Sequence, residues 1–201
     1  MPNPINIVYN SQRDNSSLAG LPGSAQCGYT SAAMMLSAFL PEAVSDAFVT
    51  YLIKSMEPAY GQATLADKIL DRIPWARGRR LGMYGDAYAV ACEELLRERG
   101  VRARVIWTPG GGTQAMLEGA IDQGSPAMLS TMISPSGHYI CVIGYDAGNW
   151  ICHDPYGDGY RGYRENPDGA YVKYPRTWLE TRAVKSDPTK RGFRFMYIAR
   201  R

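Results

Sequence analysis

Histidine is scarce in this sequence, and so are cysteine, net charge and long apolar runs. The 201 residues include 2 histidines and 4 cysteines, and the formal net charge is +3 at pH 7. A charge balance so close to neutral is too small to predict nucleic-acid binding, so we expect no nucleic-acid partner. With two histidines, any histidine-dependent chemistry has two candidates, His138 and His153.

The chain also lacks a segment that predicts a place in a membrane. No run reaches the roughly 18 uncharged apolar residues that a membrane-spanning helix needs, so we expect no membrane insertion. The amino terminus, Met-Pro-Asn-Pro-Ile-Asn, has neither the basic start nor the apolar core of a secretory signal. We therefore expect synthesis in the cytoplasm without a signal peptide, and export, if it occurs, by another route.

The four cysteines, Cys27, Cys92, Cys141 and Cys152, form no CxxC pair. Their spacing is neither that of a disulfide scaffold nor that of a zinc ribbon. Cys141 and Cys152 lie in apolar strand-like runs and Cys92 lies in a helical pattern, which predicts three buried structural thiols. Cys27 differs from them, because it follows a flexible polar loop and directly precedes an apolar helix.

The pattern of elements favours an α+β fold in a single domain over residues 1–201. The chain has the length and the average composition of one globular domain, with 45% hydrophobic and 20% charged residues. Helix patterns gather early and strand patterns late, which predicts helices packed on an antiparallel sheet. The predicted helices run from Cys27 to about residue 40 and over 42–56, 63–73, 86–99 and 113–123, the last capped by Thr113. The predicted strands cover 5–9, 101–107, 127–133, 138–145, 150–153, 171–174 and 193–199, and 109–112 is predicted to be a turn.

Three residues have the chemistry and the setting of a catalytic group. His138 begins an apolar strand, and Asp154 directly follows the next strand, so a hairpin through 146–149 brings the two side chains opposite each other. A carboxylate that accepts the imidazole N–H fixes its tautomer and stabilises the imidazolium. The imidazolium in turn lowers the pKa of a nearby thiol, and the helix that begins at Cys27 adds positive potential there. This pattern indicates a Cys27 nucleophile.

The neighbours of this set allow other interpretations. His153 alternates to the opposite face of its strand, which favours a packed or surface histidine over a base. His153, Asp154 and Asp158 have the ligand types of a metal site but no supporting motif, so we expect no metal and no cofactor. Residues 156–174 are rich in tyrosine and glycine, and they either wall the cleft and contact substrate or pack on the sheet.

Four short segments, residues 9–12, 26–36, 137–146 and 153–155, carry a resemblance to a known family. They look like papain-like cysteine peptidases related to the bacteriocin-processing (double-glycine leader) peptidases. In that family a Cys-Gly opens the central helix, a strand begins with the catalytic His, and an Asp-Pro ends the next strand. The resemblance implies a papain-like fold with Cys27, His138 and Asp154 as catalytic residues. It does not extend to residues 42–125.

The resemblance also implies a glutamine that helps to form the oxyanion hole, and two glutamines compete for this role. The family's glutamine stands a few residues before the cysteine in a Tyr-x-x-Gln setting. Gln12 has this setting but lies 27 − 12 = 15 residues before Cys27, so a loop must be inserted between them. Gln26 is adjacent to Cys27, where its side chain is hard to aim at the same oxygen. We prefer Gln12 as the fourth catalytic residue.

Together these features predict a cysteine peptidase that cleaves an amide bond through a thioester intermediate. The family's processing peptidases usually sit on a membrane transporter, of which this chain shows no part. A small, mildly basic chain looks more like a peptidoglycan endopeptidase of the phage lysin kind, a monomer that cleaves stem peptides at the bacterial cell wall after release. Three alternatives stay open: an acyltransferase or a protein-processing peptidase with the same triad, and a catalytically inactive peptide-binding module.

Overall fold

The computed structural model describes residues 3–15, 17–56, 85–183 and 192–200. The helix predicted over 63–73 lies outside these ranges. Five α-helices occur in the described part, and a short 3-10 turn precedes each of the first two. The helices are α1 (Cys27–Leu36), α2 (Asp46–Met56), α3 (Gly85–Glu98), α4 (Gln114–Asp122) and α5 (Arg176–Arg182).

The strands form a two-stranded hairpin and one antiparallel sheet. The hairpin pairs β1 (Ser17–Leu18) with β2 (Leu21–Pro22) and lies between Gln12 and Cys27. The sheet has six strands in the order β3-β8-β4-β5-β6-β7, with all neighbours antiparallel. These strands are β3 (Ala103–Gly112), β4 (Ala127–Thr131), β5 (His138–Tyr145), β6 (Asn149–His153), β7 (Val172–Pro175) and β8 (Phe193–Arg200).

Helix α1 is the centre of the helical layer, and it packs on β5, β4, α2 and α3. Every residue of α1 after Cys27 is buried, as its small and apolar composition predicts. Gly28 permits the approach of α3, because a Cβ at this position would lie 2.2 Å from the hydroxyl oxygen of Tyr88. The helices and the sheet share one hydrophobic core. Among the described residues, no helix is both long and apolar enough to cross a bilayer.

The hairpin of β5 and β6 is the part of the sheet that positions the site. Asp146 fixes its turn, because its Oδ1 accepts hydrogen bonds from the backbone N–H groups of Gly148 at 3.0 Å and Asn149 at 2.7 Å. Cys141 pairs with His153 across the two strands. This register places the beginning of β5 and the residues after β6 at the same end of the sheet.

The predicted α+β architecture is confirmed, while individual segments differ. Helix α4 begins after Thr113, whose Oγ1 accepts from Met116 N at 3.2 Å, as predicted. The turn predicted over 109–112 is wrong, because β3 continues through these residues in an irregular pairing with β8. The strand predicted over 5–9 is also wrong. This segment runs along β5 without strand pairing, although Ile5 N donates to Ile143 O at 2.7 Å.

Candidate active site

Cys27 is the first residue of α1, and its thiol lies beside the beginning of β5. Burial alone would raise the pKa of the thiol. The hydrogen bond from His138 and the charge of that residue outweigh burial, so the pKa of Cys27 falls below its ordinary value. The backbone N–H groups of Tyr139 and Gly28 lower it further. The sulfur therefore lies where a thiolate is stabilised by an imidazolium and by backbone donors.

His138 lies between Cys27 and Asp154. Its Nε2 is 2.7 Å from Asp154 Oδ1, which leaves Nδ1 for the hydrogen bond to Cys27. Burial lowers the pKa of His138, but the negative charge of Asp154 and the hydrogen bonds to Asp154 and Cys27 raise it to about 10. An imidazole with these two partners can hold a proton beside the sulfur and transfer it. The structure thus brings the three residues predicted from the sequence into one cluster.

Asp154 is fully buried and accepts four hydrogen bonds. Its Oδ1 accepts from His138 and from Tyr156 N at 2.9 Å. Its Oδ2 accepts from the hydroxyl groups of Tyr174 at 2.7 Å and Tyr163 at 3.1 Å. The sequence pattern does not identify these two tyrosines as hydrogen-bond donors to Asp154. The available signal was the Tyr/Gly-rich stretch over 156–174, part of which contacts the cluster while Tyr160 remains exposed.

The two glutamines are both buried near the loop before α1. Gln12 Nε2 donates to Gly23 O at 2.6 Å, and Gln12 N donates to Pro155 O at 2.8 Å. Gln26 Nε2 donates to Leu21 O at 2.7 Å. The insertion that the spacing of Gln12 requires is the β1–β2 hairpin together with the turn that follows it. The role of Gln12 in an oxyanion hole stays a prediction.

His153 is packed behind the site rather than within it. Its Nε2 donates to Ile7 O at 3.1 Å, and its Nδ1 accepts from Tyr171 N at 3.1 Å. Burial lowers the pKa of His153 below its ordinary value, which disfavours the charged form of the ring. Asp158, the other residue of the metal alternative, accepts the N–H groups of Tyr160 and Arg161. In the described ranges, no three His, Cys, Asp or Glu side chains cluster as metal ligands.

The other three cysteines have an environment opposite to that of Cys27. Cys92, Cys141 and Cys152 are free thiols and fully buried. Burial raises the pKa of Cys92 to about 12 and also raises the pKa values of Cys141 and Cys152. Cys27 is therefore less buried than these three thiols, and its thiol has a lower pKa.

Comparisons with known proteins place the chain in a family. A family model described as the Peptidase_C39-like family matches residues 4–186. The fold is similar to that of a Bacillus anthracis protein whose crystal structure is described as a C39-like peptidase, with a TM-score of 0.60 and 17% identity over 99% of this chain and 97% of that chain. No curated protein sequence matches. Because the family model spans most of its length, the chain belongs to the C39-like family of papain-like peptidases and is a cysteine peptidase.

Proposed function

We propose that this peptidase cleaves an amide bond with Cys27 as the nucleophile, His138 as the acid and base, and Asp154 as the residue that orients His138. The observation that carries the proposal is the placement of one imidazole between a thiol of lowered pKa and a buried carboxylate 2.7 Å away. This arrangement favours a thiolate and an imidazolium in the resting protein.

The proposed reaction has two halves. The Cys27 thiolate attacks the carbonyl carbon, and the tetrahedral oxyanion accepts hydrogen bonds from the Cys27 N–H at the start of α1 and from Gln12. Removing one such donor typically costs ~10²–10³ in rate. His138 gives its proton to the leaving amine, and the C–N bond breaks to leave a thioester. His138 then takes a proton from water, and the hydroxide adds to the acyl carbon of the thioester. The C–S bond breaks, the carboxylic acid product leaves, and the Cys27 thiolate is restored beside the His138 imidazolium.

For the substrate, we infer a peptidoglycan stem peptide. A sequence pI near 8.6 and a net charge of +3 are compatible with an anionic polymer such as the bacterial wall as the substrate. The hypothesis of a lysin-type endopeptidase, drawn from the sequence, is the basis of this substrate proposal. In this proposal the enzyme is made in the cytoplasm and acts as a monomer at the cell wall after release.

The test combines thiol chemistry with digestion of purified cell walls. At pH 6, iodoacetamide should modify Cys27 rapidly and leave Cys92, Cys141 and Cys152 unmodified. The wild type should release new amino groups from the walls. Cys27→Ala and His138→Ala should release none, Asp154→Asn should release far fewer, and Cys92→Ala should behave as the wild type.

The remaining outcomes separate the alternatives. Transfer to an added amine would indicate an acyltransferase, and cleavage of proteins but not of walls would indicate a processing peptidase. A Cys27 that titrates near 8.5, like an ordinary thiol, would indicate a peptide-binding module and would contradict the proposed catalysis.

A further inference from the structure

Tyr163 belongs to the loop between β6 and β7 and lies against the His138–Asp154 pair. Its hydroxyl donates to Asp154 Oδ2 at 3.1 Å. Its ring meets the imidazole of His138 edge to face, with the centroids 5.8 Å apart and the planes at 73°. One side chain therefore contacts both members of the pair, by a hydrogen bond to the carboxylate and by its ring to the imidazole.

Tyr174 shares Oδ2 but has a different structural setting. It lies in β7, is completely buried, and also accepts the N–H of Gly159 at 2.9 Å. Its removal would disturb the fold around β7. Tyr163 is only partly buried and comes from a glycine-rich loop, so a change there affects fewer contacts.

Arg13 holds the loop that carries Tyr163. Its Nη1 donates to Tyr163 O at 2.6 Å and to Tyr156 O at 3.2 Å, and its guanidinium lies 4.9 Å from the centre of the Tyr156 ring. The ring of Tyr156 packs edge to face on that of Tyr163 at 5.2 Å. The amino-terminal segment thus fixes the backbone at both tyrosines, and Tyr163 has a defined position over the pair.

We propose that Tyr163 is a positioning residue for the His138–Asp154 pair: its hydroxyl shares the charge on Asp154 Oδ2 while its ring keeps water from the imidazole. The inference rests on the proposed function. The hydroxyl remains a donor throughout the working pH range, because burial and the charge of Asp154 raise the pKa of Tyr163 well above its ordinary value. When the two tyrosine hydroxyls donate hydrogen bonds to Asp154 Oδ2, Asp154 Oδ1 remains available for its hydrogen bond with His138.

The two functions of Tyr163 predict two separate effects on His138. Tyr163→Phe keeps the ring and removes the donor, so more of the charge of Asp154 acts on the imidazolium and the pKa of His138 should rise, by about half a unit. Tyr163→Ala also removes the ring and admits water to the imidazole, so the N–H protons of His138 should exchange with solvent faster than in Tyr163→Phe.

Nitrogen NMR of histidine-labelled protein measures this directly, because the chain has two histidines and a His153→Gln variant assigns them. Tyr160→Phe is the matched control, since Tyr160 is exposed on the same loop and its ring packs edge to face on Trp178. It should leave the pKa of His138 unchanged. Thermal unfolding should show each variant folded, and if Tyr163→Phe does not fold, faster N–H exchange at His138 in Tyr163→Ala than in the wild type is the test.

Failure of this inference differs from failure of the proposed function. If wild-type Cys27 does not react with iodoacetamide at pH 6 and His138 titrates at its ordinary value, the triad itself is wrong. If the wild type shows both signatures but Tyr163→Phe leaves the pKa of His138 unchanged or lowers it, the positioning role of Tyr163 is overturned and the triad stands.

Discussion

The two histidines lie on adjacent strands and have opposite chemistry. His138 faces a carboxylate and a thiol, which raise its pKa to about 10, whereas His153 hydrogen-bonds to two backbone groups and burial lowers its pKa. Residue type and position in the strand predict this contrast, since His138 begins a strand and His153 points to the other face. The proximity of Cys27, His138 and Asp154 could be predicted because the proposed chemistry requires particular residue types, and their catalytic roles stay a prediction.

The contacts of Tyr163 and Tyr174 could not be predicted in the same way. They depend on the path of the loop between β6 and β7, where Gly157 and Gly162 have positive φ values of 121° and 101°. Several tyrosines occupy this stretch, and the pattern does not show which of them turns toward Asp154. The loop conformation alone decides that.

Protonation of His153 should weaken the fold in mild acid. The folded state lowers the pKa of the His153 ring. The neutral ring therefore stabilises the fold fully above the unfolded pKa of about 6.5, and this stabilisation is lost as the pH falls below that value. His153→Gln keeps a donor for Ile7 O and an acceptor for Tyr171 N but does not titrate. Between pH 7.5 and pH 5, the wild type should lose on the order of 1 kcal/mol more unfolding free energy than His153→Gln in urea titrations. Equal losses in the two proteins would contradict this role.

At the scale of elements, strand pairing overrides local sequence signals. Pro109 to Gly112 has the composition of a turn, yet it continues β3 because β8 pairs alongside and the Phe195 ring covers Gly112. Residues 5–9 have the composition of a strand but lack strand pairing, although Ile5 and Ile7 are buried. Both errors concern partners distant in the chain, which local patterns do not reveal.

The close contact between α1 and α3 predicts the effect of one methyl group at Gly28. Gly28→Ala places a Cβ against the buried Tyr88, so we expect a loss of about 1–3 kcal/mol of stability and lower activity, because Cys27 is the adjacent residue. Gly119→Ala in α4 is the control, since a Cβ there meets no atom within 4 Å. It should stabilise the protein by up to about 1 kcal/mol. Thermal unfolding compares the two, and a neutral Gly28→Ala would show that the contact can relax.

At the scale of the whole molecule, the site joins two layers. Cys27 belongs to the helical layer, while His138 begins β5 and Asp154 directly follows β6, and one hydrophobic core lies between the helices and the sheet. The N-terminal segment adds contacts across the site, because Tyr9 Oη donates to the backbone carbonyl of Asp154 at 3.1 Å and Arg13 holds the loop with Tyr163. The low pKa of Cys27 is therefore a property of the assembled fold.

Loss of Cys27 reactivity should coincide with global unfolding. In urea at pH 6, separation of the layers removes His138 from the thiol, so the rate of Cys27 alkylation should fall roughly a hundredfold, to that of an ordinary thiol. Mass spectrometry of the Cys27 peptide and far-ultraviolet circular dichroism should give the same midpoint, because layers that share a hydrophobic core are expected to unfold together. At pH 8.5, Cys92, Cys141 and Cys152 should become reactive at that midpoint as their burial ends. If the alkylation rate of Cys27 instead declines at a lower urea concentration than the circular dichroism signal, the helical layer separates from the sheet before the rest unfolds. The chain would then consist of two cooperative units rather than the single domain expected over 1–201.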